Sequence, residues 1–62
     1  MNSPKEKAIE LFNKYDNYPL TYEWKKQCAL IAVDEMYDIA AENNNVQQVN
    51  YLVDVKQEIE KL

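Results

Sequence analysis

The apolar positions of this chain fall into three helical runs separated by two polar breaks. Ala8, Leu11, Phe12 and Tyr15 recur at i, i+3, i+4 and i+7, the period of a helix with one buried face. Ahead of them stands a start signal. Ser3 can cap the free amides, Pro4 suits the first helical position, and Glu6 is placed to complete a capping box. The first helix is expected from about 4 to 15, with Ile9 off its inward line.

The second run is the longest and organises the rest. With each residue turned ~100° from the last, Ala29, Leu30, Val33, Met36, Tyr37 and Ala40 share one side of a helix expected over 22–42. Cys28, Ala32 and Ile39 widen that side to roughly 200°, about twice the stripe a surface helix needs. Such a helix expects neighbours on more than one flank. Glu23, Gln27, Asp34, Asp38 and Glu42 form the opposite edge, and the i, i+4, i+8 spacing of the last three carboxylates suits a face turned to water. Ile31 stands among these polar residues with no partner evident in a monomer.

Between these runs, Asp16 to Thr21 forms a connection in which Asn17 is expected to supply a left-handed helix end, Pro19 to exclude helix at Tyr18, and Thr21 to cap the next helix. Asn43-Asn44-Asn45 makes the second break. Asn45 and Gln48 read as a capping box for a third helix over 46–61, whose seam passes from Val46, Val49 and Val53 to Leu52, Val55, Ile59 and Leu62. That seam is too short to stand alone and should pack on the other helices. The pattern predicts an all-α, three-helix domain with a long central helix.

Length changes this picture in one respect. Sixty-two residues are near the size at which one core is barely sufficient, so the wide central arc predicts packing as a homo-oligomer. Composition, 47% hydrophobic and 29% charged, is that of a globular chain. The longest apolar run, Cys28 to Val33, is far short of the ~20 residues that span a membrane, and the first residues lead into an amphipathic pattern rather than a secretory signal. A cytoplasmic protein is expected, away from membranes. The single Cys28 cannot form an internal disulfide and is expected as a buried thiol.

Charge and side-chain inventory narrow the chemistry. A net charge of −4, with all seven basic residues Lys, opposes binding to DNA or RNA backbones. With no His, one Ser and one Thr, both placed as caps, no nucleophilic triad or Cys-His pair can be assembled in one chain, so no enzyme and no cofactor is expected. Asp34, Asp38 and Glu42 could hold a hard cation only with ligands from other helices, and a solvated face is the expected role.

The remaining constellation is Tyr15, Tyr18, Tyr22 and Trp24 with Lys14, Lys25 and Lys26. Aromatic faces stack on bases and ammonium groups meet phosphates, which is the composition of a nucleotide cradle. The same residues would equally cover the end of a small core. Tyr22, Trp24, Lys25 and Lys26 are the candidate ligand-binding residues, with Lys26 singled out because it lies inside the apolar arc, where it either snorkels past the core or meets an anion.

Three segments, Ser3-Pro4-Lys5-Glu6-Lys7-Ala8, Lys26-Gln27-Cys28-Ala29-Leu30-Ile31-Ala32-Val33-Asp34-Glu35 and Val55-Lys56-Gln57-Glu58-Ile59-Glu60-Lys61-Leu62, resemble a group of small uncharacterised proteins of bacteriophages and the bacteria they infect. The resemblance implies a phage setting, hence the host cytoplasm, and brings no activity or functional residues. A non-catalytic phage protein acts by occupying something. One expectation is sequestration of a nucleotide-derived immune messenger at the Tyr22 to Lys26 patch. The alternatives are a module that binds and inhibits a host protein through an exposed face such as that of Ile9 or Ile31, and a minor virion component.

Overall fold

The computed structural model describes residues 2–19 and 21–62, so Met1 and Leu20, the latter in the first connection, lie outside the described residues. Three helices, α1 (Pro4–Asn13), α2 (Tyr22–Glu42) and α3 (Val46–Lys61), follow one another, and among the described residues there is no strand. Helix α2, at 21 residues, should be about 31 Å long. It sets the long axis of a body measuring 36 × 20 × 17 Å. Its most extensive partner is α3, which also packs along α1.

Each helix begins as its sequence requires. Ser3 and Glu6 exchange hydrogen bonds in a complete capping box, the Glu6 N–H donating to Ser3 Oγ and the Ser3 N–H to Glu6 Oε1, both at 3.2 Å. Thr21 Oγ1 accepts from the Trp24 N–H at 3.3 Å. At α3 the Asn45 side chain accepts from the Gln48 N–H at 3.1 Å, which is half of the expected box. In the described contacts Gln48 does not reach back.

The helix ends differ from one another, and one expectation is corrected. Among the described residues Asn44, not Asn17, is the non-glycine residue with positive φ, at 54°. Its N–H donates to the Ala41 carbonyl and that of Asn45 to the Ala40 carbonyl, the paired bonds of a Schellman ending. Asn45 thus closes α2 and opens α3. At the end of α1 the cap is Lys14, in right-handed geometry. The chain there tightens into i→i+3 turns, with Tyr15, Asp16 and Tyr18 donating to Phe12, Asn13 and Tyr15. That tightening satisfies the last carbonyls of α1 without a left-handed residue and ends the helix two residues before the expected position.

The core consists of Ala8 and Leu11 from α1, Ala29, Val33 and Ala40 from α2, and Leu52, Val55 and Ile59 from α3. The alanines let the axes approach, while Leu52, Val33, Val55 and Ile59 fill the centre. Leu30, Met36, Val49 and Tyr51 pack around it. The Tyr51 hydroxyl donates to the Asn2 carbonyl at 2.7 Å, drawing the N-terminal residues onto α3. No buried side-chain N or O atom lacks a partner among the described residues.

Two flanks of the wide α2 arc are not covered. Tyr37 and Ile39, expected inward, are exposed, and Cys28, expected buried, is only half-buried. Two short helices cannot reach around roughly 200° of a third. No helix is long and apolar enough to cross a membrane among the described residues.

Candidate functional site

The four candidate residues sit on the first turn and a half of α2, oriented by the Thr21 cap and by the Lys25 N–H donating to the Thr21 carbonyl. The structure does not gather them into one cradle. Helical geometry separates Trp24 from Lys26 by about 200° of rotation, so the indole turns outward while the Lys26 stem runs toward α3. Tyr22 lies against Phe12 with ring centroids 5.2 Å apart at 55°. Tyr15 and Tyr18 form a separate pair at 6.1 Å. The aromatics of the constellation therefore cover the end of the bundle as two pairs, with Trp24 in neither.

Both candidate ammonium groups have protein partners. Lys26 Nζ donates to the Glu60 carbonyl at 2.7 Å. It thereby serves one of the last free carbonyls of α3, where the helix dipole favours a cation. Lys25 Nζ pairs with Asp16 Oδ1 at 3.3 Å and ties α2 to the first connection. A phosphate arriving here would have to compete with a helix end and a carboxylate. An open depression of about 470 Å³ does lie beside them, lined by Glu23, Trp24, Lys26 and Gln27. Tyr22 and Lys25 do not line it.

Two further features were not singled out from the residues. A groove of about 420 Å³ runs between α2 and α3, floored by Val33 and Leu52, walled by Tyr37 and Val53, and crossed at 3.6 Å by the Lys56–Asp34 pair. The oppositely charged Asp34 and Lys56 were its signals in the sequence. The second is the outer face of α2, where Trp24, Ile31 and Ile39 are 63%, 58% and 60% exposed. Ile31 points about 180° from the mean direction of Ala29, Val33 and Ala40, and Trp24 lies within about 20° of Ile31. The sequence marks Trp24 as a candidate ligand residue and Ile31 as a candidate contact face, but not as neighbours on one face.

The electrostatics of that face are one-sided. Glu23, Asp34, Glu35, Asp38 and Glu42, the acids of α2, are all exposed. Asp34 reaches Lys56, whereas the other four make no ion pair with a described residue. No group of three or more His, Cys, Asp or Glu among the described residues could hold a metal ion. The Ser3 backbone N–H, then the Ser3 hydroxyl, hold the Glu6 carboxyl below its usual 4.5.

Fold and site together define a small three-helix domain carrying an acid-rimmed apolar face on its central helix. No protein-family model, curated protein or solved structure matches the chain.

Proposed function

We propose that this protein is a non-catalytic binding module that occupies another protein through the outer face of α2. One observation carries the reading. Three large apolar side chains, Trp24, Ile31 and Ile39, stand more than half exposed on one side of the longest helix, although the domain is too small to spend apolar surface freely. The resemblance of its three segments to small phage proteins points to a bacterial host protein as the target class. The wide apolar arc of α2, not this face, prompted the expectation of a homo-oligomer, and the carboxylates around Trp24 and Ile31 favour an unlike partner over a second copy here.

Photo-cross-linking tests this. A photoreactive residue in place of Ile31, expressed in bacterial cells, is expected to yield an adduct with one other protein, while the same residue in place of exposed Lys5 on α1 is not. The identified protein, once purified, should bind the native chain and not Ile31→Asp. An adduct of the chain with itself alone, or none from position 31, would remove the reading.

A nucleotide-type ligand is the second reading, favoured by the depression that brings Trp24 and Lys26 to one opening. Native mass spectrometry with cyclic dinucleotides, cyclic trinucleotides and cyclic ADP-ribose isomers separates the two. A defined added mass, lost in Trp24→Ala, would establish it in place of the protein target.

A further inference from the structure

We infer that the partner element received by α2 is a basic amphipathic helix, an inference that rests on the protein-binding reading above. The apolar side chains of the outer face follow a seam. Trp24, Cys28 and Ile31 are spaced 4 and 3, and the same repeat runs on through Glu35, Asp38 and Glu42, with Ile39 about 80° round from Ile31 on the flank of that stripe. Spacing of 4 and 3 is what a second helix packed nearly alongside meets, since it keeps one stripe facing the partner. From Trp24 to Ile39 the exposed apolar side chains span about 22 Å of the helix axis, or four turns, which matches a partner helix of about 15 residues.

Charge selects the sign of that helix. Asp38 and Glu42 lie within about 20° of Ile31 and Glu35 about 40° from it, so they share the stripe with Trp24 and Ile31, while Glu23 lies further round and Asp34 is paired with Lys56. The two cations of α2 are unable to offset them, because Lys25 is held by Asp16 and Lys26 by the Glu60 carbonyl. A second copy would set the same carboxylates against themselves, and like charges across an interface oppose association. Lysines or arginines on an amphipathic partner helix would answer Glu35, Asp38 and Glu42. A single helix-on-helix contact is small for a protein interface, so micromolar affinity with strong salt dependence is expected.

Trp24 is the chain's only tryptophan and lies in the seam, so its emission reports docking directly. The probe is a 15-residue Leu/Lys peptide with leucines at helical spacing and no aromatic residue, set beside its Leu/Glu counterpart. With the full chain, the Leu/Lys peptide is expected to give a saturable blue shift, about tenfold weaker at high than at low ionic strength, and the Leu/Glu peptide none. Ile31→Asp, which adds a carboxylate while removing apolar contact at an exposed position, should bind the Leu/Lys peptide at least about tenfold less tightly with unchanged helicity.

Equal or tighter binding by Ile31→Asp would show charge alone at work and overturn the inference, as would absence of a shift or equal response to both peptides. Emission already blue-shifted in the free protein, with a dimer in sedimentation, would assign the face to a second copy and likewise overturn it. A protein cross-linked from position 31 in cells, with neither peptide bound, would leave the binding-module reading standing and remove only the basic helix.

Discussion

The ammonium of Lys26 lies 2.7 Å from the carbonyl oxygen of Glu60, 34 positions further along the chain. One side chain on the first turns of α2 thus closes the last turn of α3. The contact accounts for a lysine inside an apolar arc: its stem covers the core margin while its charge meets a helix end.

Replacing Lys26 by Met keeps the stem and removes the charge. The Glu60 carbonyl returns to water, so a loss of about 1 kcal/mol is expected, or roughly 4–8 °C in Tm for a domain of this size. Hydrogen exchange should quicken at the Leu62 amide, which closes the end of α3 on the Ile59 carbonyl, more than in α1. Thermal unfolding with exchange mass spectrometry reads both. Unchanged exchange at the α3 end would make the contact incidental.

Asn44 holds the α2–α3 corner at φ 54°, where a Cβ is unfavourable. Asn44→Ala should cost about 1 kcal/mol, since alanine lacks the local hydrogen bonding that lets asparagine tolerate this region. Asn44→Gly should be neutral or stabilising by a few tenths of a kcal/mol. The pair is informative because both substitutions remove the same amide. Denaturant midpoints of the two variants should fall on opposite sides of, or respectively below and level with, the native chain.

Glu6 links the first cap to pH. Its folded-state carboxyl is held below 4.5 by the Ser3 backbone N–H and hydroxyl, and the unfolded chain releases it to the usual value. A depressed folded value means that the ionised carboxylate favours the folded state. Its contribution is therefore complete above about pH 4.5 and is lost as pH falls through the lower folded value. Glu6→Gln should be less stable than the native chain at neutral pH and approach it in acid. Parallel unfolding curves from about pH 6 to pH 3 test this, and a difference that grows in acid would reverse the assignment.

Local chemistry was legible at the helix starts, less so at the end of α1. Ser3, Thr21 and Asn45 cap the helices as their positions indicate, and the i, i+3, i+4 recurrences of Ala8 and Leu11 and of Leu52, Val55 and Ile59 mark the faces that are buried. These outcomes depend on backbone amides three residues away and on a fixed helical period, both written in the order of residues. The excess breadth of the α2 arc was also legible, but not which of its sides would be left uncovered.

Those choices belong to the tertiary structure. The placement of α3 brings the Glu60 carbonyl to Lys26, the packing of α1 on α2 sets Tyr22 against Phe12, and neither neighbour covers Trp24 or Ile31. Helical period says which residues share a side. Which side receives a neighbour is set by the crossing of helices distant in sequence, so the amphipathic pattern determined the three helices, and their packing determined the site.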